Sequence, residues 1–260
     1  MEYLLGQDWE ITPAGGATGK AYIAKHQDEQ QLFLKRNSSP FLAVLSAEGI
    51  VPKLVWTKRV ENGDVITAQH WLQGRELRPE EMATGRVARL MSKIHSSQPL
   101  LSMLEKLDKE KVDPYTSMRH LEQQLDAEVM MHEDVHSALE FLYEYLQEVR
   151  HGEYVVCHGD INHNNWLLSD EDELYLIDWD GAMIADPAMD LGMLLYKYVE
   201  AGNWEEWLAQ YDLAFTPHLH LRMKWYAIVQ VLASIQWDKD TGRLHEMNKG
   251  LRELAQILRR

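Results

Sequence analysis

The chain has 260 residues, 45% of them hydrophobic, enough for one large or two small domains with a sizeable core. Lys+Arg 26 against Asp+Glu 41 gives a formal net charge of −15, which speaks against nucleic acid or an anionic membrane as the main partner and tolerates a cationic substrate. One cysteine, Cys157, excludes an internal disulfide and suits a reducing cytosol. The first residues carry neither a basic n-region nor an apolar h-region, and no apolar run approaches the roughly 20 residues of a membrane span. A soluble, cytoplasmic protein is the expectation.

Residues 1–36 read as β structure. Glu10-Ile11-Thr12 leads into Pro13-Ala14-Gly15-Gly16-Ala17-Thr18-Gly19-Lys20, and residues 21–24 and 31–35 read as strands about a polar turn. Gly15, Gly16 and Gly19 let backbone N–H groups approach phosphate oxygens with no Cβ in the way. A Walker A loop does not fit, because Gly15 has only three residues before Gly19 and Ala21 follows Lys20. Taken alone, a plain surface turn has the edge over a phosphate loop here. Lys35 ends an apolar strand, where a lysine by itself is normally just solvated.

Residues 39–50 predict a short helix ending near Gly49, with Pro52 beyond. Residues 53–56 and 64–69 predict strands around Glu61-Asn62-Gly63-Asp64. His70-Trp71-Leu72-Gln73-Gly74-Arg75 marks a boundary, after which the pattern turns helical. Val87, Leu90, Met91 and Ile94 share one helix face, behind the acidic turn Glu80-Glu81. Residues 115–131 and 135–149 predict two more helices, and 188–200, 203–212, 217–237 and 244–259 predict four. The division expected is a β-rich lobe at 1–73 and a helical one at 74–260, with one β-hairpin on the helical part.

The chemistry concentrates in Val155-Val156-Cys157-His158-Gly159-Asp160-Ile161-Asn162-His163-Asn164-Asn165 and in Leu174-Tyr175-Leu176-Ile177-Asp178-Trp179-Asp180. Each short apolar run delivers polar residues at its end. Strand–turn–strand geometry brings Asn165 and Asp178 side by side. One carboxylate for a proton, with a carboxylate and an amide for a hard cation, suits phosphoryl transfer. Asp160 is the candidate catalytic base, and Asn165 and Asp178 the candidate Mg²⁺ ligands. Any one of these acids alone would read as a turn or capping residue. Together, the Asp-x₄-Asn spacing, His158 two residues earlier and an apolar run ending on Asp178 form a much more specific set. His158 and Cys157 read as core residues. Trp204, Trp207, Trp225 and Trp237 suit helical packing better than a cage for a quaternary ammonium group.

At His158–Asn165 and Ile177–Asp180 the sequence resembles the aminoglycoside phosphotransferase and choline kinase superfamily, small-molecule relatives of the protein kinases. The likeness extends to Ala185-Asp186-Pro187-Ala188-Met189-Asp190-Leu191, to Trp71-Leu72-Gln73-Gly74-Arg75-Glu76-Leu77 and to the stretch from Val87 to His95. It implies an α+β, bilobal, protein-kinase-like fold and an ATP- and Mg²⁺-dependent transferase. In that reading Lys35 and the loop residues Gly15, Gly16, Thr18 and Gly19 contact the nucleotide phosphates. Gln69, His70, Trp71 and Leu72 line the adenine site through backbone groups, and Asp190 braces the catalytic loop. The whole-chain character is similar to the YtmP-like branch related to the bacterial cell-cycle regulator CcrZ. That branch implies a link to DNA replication and a ribose- or nucleoside-like acceptor.

Two departures from the kinase pattern matter. Kinases pair the strand lysine with a helix glutamate, yet 37–47 holds no acid and Glu48 comes late. Only eleven residues separate Asp178 from Asp190, too few for a regulatory activation loop, which disfavours a protein kinase. The expected function is therefore a small-molecule kinase acting on a hydroxyl. The alternatives are a choline- or aminoglycoside-type kinase, and a nucleotide-binding regulator acting through a protein partner.

Overall fold

The computed structural model describes residues 5–6, 8–14 and 21–260. The chain divides into two compact units, Met1–Leu77 with Asn164–Asp180, and Arg78–His163 with Gly181–Arg260. The expected break at 73/74 is thus drawn differently. The hairpin counted with the helical part belongs to the first unit, because its strand Trp166–Ser169 pairs antiparallel with Gly74–Glu76.

The first unit is built on a five-stranded antiparallel sheet, in the order Trp9–Pro13, Ala21–His26, Gln31–Arg36, Val65–His70 and Leu54–Arg59. Alternation buries Leu32 and Leu34 on one strand and Ile66 and Ala68 on its neighbour, with Ala24 and Val60 completing the cluster. Lys35 follows Leu34 and so points to the opposite face. The helix Phe41–Ala47 buries Phe41 and Leu45. A smaller sheet runs Leu174–Leu176, Trp166–Ser169, Gly74–Glu76. Its tight step is Gly74, where a Cβ would lie 2.4 Å from the Leu168 carbonyl oxygen.

The second unit is largely helical. Gly85–His95 buries Val87, Ala88, Met91, Ile94 and His95, the stripe its periodicity predicts. The helix Gln98–Lys106 was not foreseen; Ser97 caps it by accepting from the Leu100 N–H at 3.3 Å. The single helix expected over 115–131 is two, Pro114–Gln124 and Ala127–Met130. Leu125 is extended, and the Asp126 carboxylate caps the second piece through the N–H groups of Glu128 and Val129. Three short strands form a sheet with Met183–Ala185 in the middle, parallel to Lys111–Val112 and antiparallel to Val155–Cys157. The helices Ala188–Tyr198, Trp204–Tyr211, Pro217–Asp240 and Leu244–Arg259 complete the unit. Trp204, Trp207 and Trp225 are core residues, whereas Trp237 is exposed and stacked under the Arg243 guanidinium at 3.5 Å from its ring centroid. No helix of the described residues is long and apolar enough to cross a membrane.

Ala188–Tyr198 meets Pro217–Asp240 backbone to backbone at Gly192, where a Cβ would lie 2.5 Å from the Met223 carbonyl oxygen. Alanine gains up to about 1 kcal/mol in helix propensity. Forcing two buried helices apart costs about 1–3 kcal/mol. Gly192→Ala is therefore expected to destabilise, which a denaturant midpoint would show.

Candidate active site

In the first unit the hairpin sets the positions. Leu176 pairs with Trp166, and the Ile177 N–H donates to the Asn165 carbonyl at 2.8 Å. Asn165 and Asp178 thus leave the same end of the hairpin, as the spacing predicts. Asp178 has φ +63°, a left-handed conformation that aspartate tolerates better than most residues. Its carboxylate Oδ1 lies 3.4 Å from Lys35 Nζ, and Asp180 Oδ1 lies 2.9 Å from the same nitrogen. Lys35 is mostly buried, while both carboxylates are well exposed. Glu48, the candidate partner for Lys35, stands at the C-cap of the helix Phe41–Ala47.

The segment expected to meet the adenine is largely committed to its own unit. Gln69 is buried and donates from Nε2 to the Pro52 carbonyl at 2.7 Å. The N–H of His70 donates to Lys53 O and that of Trp71 to Gln31 O. Trp71 and Leu72 are half-buried. Gly15, Gly16, Thr18 and Gly19 lie outside the described residues. On either side of them the strands Trp9–Pro13 and Ala21–His26 pair antiparallel, and the Ala14 N–H donates to Ala21 O at 2.9 Å.

In the second unit the strand Val155–Cys157 delivers the loop that carries Asp160. His158 is fully buried, and its Nδ1 accepts from the Asp160 N–H at 3.3 Å. Gly159 has φ +81°, a backbone conformation that side chains rarely adopt, so an arginine in this position would be strained. Asp160 is exposed. Asn162 donates from Nδ2 to its Oδ1, and Lys197 donates to Asn162 Oδ1 at 2.6 Å. Neither Asn162 nor Lys197 stood out in the sequence.

Beneath the loop lies a buried network. Asp190 is fully buried and accepts from the N–H groups of His158 at 2.8 Å and Gly159 at 3.0 Å. His95 Nε2 faces Asp190 Oδ2 at 3.2 Å, and its Nδ1 faces the Tyr211 hydroxyl at 2.7 Å. His95, Cys157 and Asp190 come close enough to share a metal ion, but both imidazole nitrogens and both Asp190 oxygens already have protein partners. Burial pushes the Cys157 thiol well above its usual range, so it is an inert core group.

Burial by itself would raise the Asp190 pKa. The His95 hydrogen bond and charge, the nearby His158 and the Gly159 N–H outweigh it, so the pKa falls below the usual 3.8. A carboxylate held low in the folded state stabilises the fold above its unfolded pKa. That contribution is lost as pH falls through the lower folded value. The stability gap between the wild type and Asp190→Asn is expected to be wide at neutral pH and to narrow in acid below the usual 3.8. Urea denaturation across that range measures it.

An antiparallel sheet in the first part of the chain, a mostly helical remainder and a His-Gly-Asp loop define an α+β, kinase-like phosphotransferase. The chain belongs to the phosphotransferase enzyme family that includes the aminoglycoside phosphotransferases (APH), whose family model matches residues 10–226. Among solved structures it is similar to the choline kinase LicA from Streptococcus pneumoniae, with a TM-score of 0.69 and 18% identity over 98% of this chain and 96% of that one. It is also similar to spectinomycin phosphotransferase APH(9)-Ia in complex with ADP and spectinomycin, with a TM-score of 0.66 and 15% identity over 96% and 92% of the two chains. The GDP complex of aminoglycoside 2'-phosphotransferase-IIIa matches with a TM-score of 0.69 and 14% identity over 99% and 95%. At these identities the likeness concerns the fold.

Proposed function

We propose that the protein transfers the γ-phosphoryl group of ATP to a hydroxyl of a small molecule, with a ribose, deoxyribose or nucleoside as the leading acceptor. The observation that carries this reading is the set at the end of the hairpin. Asn165 and Asp178 leave one end of it, and Lys35 Nζ lies against the Asp178 carboxylate. An exposed carboxylate and an amide oxygen are hard donors that suit Mg²⁺. When bound, the ion offsets negative charge on the phosphates. Lys35 then holds the triphosphate by charge, and Asn165 and Asp178 fix where the ion sits. Residues 15–20 contact the phosphates in this reading, and residues 69–72 border the base. Asp160 accepts the proton of the attacking hydroxyl, oriented by Asn162 and by the His158 ring beneath its N–H.

The acceptor class rests on the resemblance to the YtmP-like branch, which also supports a link to DNA replication and the cell cycle. The solved relatives that carry a nucleotide in their names support nucleotide use of the same kind. Reading the chain as a nucleotide-binding regulator drew its force from the missing helix glutamate, and Lys35 does have carboxylate neighbours. The test is transfer from γ-labelled ATP, with Mg²⁺, to a panel of sugars, nucleosides, amino alcohols and aminoglycosides. A labelled pentose or nucleoside is the expected product. No labelled acceptor anywhere in the panel would overturn the enzyme reading, and a labelled amino alcohol would move the acceptor class.

A further inference from the structure

The helix Phe41–Ala47 carries no acid of the kind that kinases use to aim the strand lysine, and the first unit brings two other carboxylates to it. Three observations define the arrangement. Lys35 Nζ makes its shorter contact, 2.9 Å, with Asp180 and its longer one, 3.4 Å, with Asp178. Asp180 follows Trp179, which is nearly buried and donates from Nε1 to the Leu176 carbonyl at 2.7 Å. That indole packs edge-to-face with Phe41, with ring centroids 5.8 Å apart and planes at 72°. The helix Phe41–Ala47 thus contributes an aromatic anchor in place of an acid. It fixes the turn, and the turn presents the carboxylate.

We propose that Asp180 is the positioning residue of Lys35, supplying from the segment after Asp178 the carboxylate that kinases usually place on a helix. This rests on the phosphotransferase reading, in which Lys35 holds nucleotide phosphates. Lysine has three N–H donors. Two face Asp178 and Asp180, which leaves the third for a phosphate oxygen. A metal ion on Asp178 would draw on that carboxylate's charge, and Asp180 would remain as the partner that keeps the ammonium aimed. The arrangement also explains how a chain with no acid in 37–47 keeps its strand lysine in place.

The test uses the full chain and three proteins: wild type, Asp180→Asn and Asp180→Glu. ATP binding is measured by calorimetry in EDTA and again with Mg²⁺, beside thermal unfolding without nucleotide. Asp180 is well exposed, so the effect sits at the upper end for an exposed pair, a loss of about fivefold in ATP affinity. For a positioning residue the loss in Asp180→Asn appears both in EDTA and with Mg²⁺. The glutamate variant recovers most of it, and the melting temperature barely moves. A loss seen only with Mg²⁺ would make Asp180 a metal ligand and overturn the proposal. Unchanged binding, or a lower melting temperature with unchanged binding, would overturn it equally. A wild type that binds no ATP in either condition would instead remove the phosphotransferase reading on which the proposal stands.

Discussion

Asp160→Ala is expected to lower kcat by about 10²–10⁴, the usual worth of a positioned general base. Phosphoryl transfer through a loose transition state takes little covalent help from protein, so the lower half of that range is the better expectation. The nucleotide KM should hardly change, because the carboxylate acts on the acceptor hydroxyl in the transition state and not on bound ATP. The fold should also hold. Asp160 is exposed, and exposed substitutions away from special features stay within about 0.5 kcal/mol. Asn162, which donates to the Asp160 carboxylate, keeps its bond to Lys197. Steady-state kinetics with the accepted substrate, beside a thermal unfolding curve, decide the matter. A kcat within threefold of wild type in a folded variant would remove Asp160 from the reaction. Full complementation in cells by the same variant would favour the regulator reading.

What could be read from the sequence was local. Asn165 and the apolar run before Asp178 belong to one short hairpin, where order along the chain nearly dictates geometry. The strands of the five-stranded sheet and most helices were legible for the same reason. Contacts made across the chain were not. Asp180 carried no role in the sequence because its partner Lys35 lies 145 positions away. Lys197 reaches Asn162 over 35 positions from the middle of a helical pattern, where a lysine carries no signal. The hairpin was counted with the helical part because local periodicity says nothing about pairing with Gly74–Glu76. Asp126 interrupted an expected helix because a capping carboxylate competes with helical continuity, and its site was hidden among apolar positions that kept the period.

Arg222→Ala is expected to cost about 3–5 kcal/mol, because it strands a buried carboxylate. Asp186 and Arg222 are both nearly inaccessible. Arg222 Nη2 donates to Asp186 Oδ1 at 3.0 Å, and its Nε lies 2.9 Å from Oδ2. The same Oδ1 accepts from the Ala188 N–H at 2.8 Å, which ties the pair to the start of the helix Ala188–Tyr198. Truncating the arginine leaves Asp186 with that single donor in a site closed to solvent. At about 2–4 °C per kcal/mol for a chain near this size, the melting temperature should fall by roughly 10 °C. Replacing both partners, Arg222→Met with Asp186→Asn, leaves no buried charge and keeps an oxygen for Ala188. The double variant is therefore expected to be more stable than Arg222→Ala, and a double-mutant cycle by urea denaturation measures the difference. A cost below about 1 kcal/mol for Arg222→Ala would show that this pair does not hold the helix start. The stakes reach the reaction because the helix that begins at Ala188 also carries Asp190. Its carboxylate holds the N–H groups of His158 and Gly159 directly before Asp160. Loosening the helix start should thus lower kcat as well as stability, and the double variant should recover both.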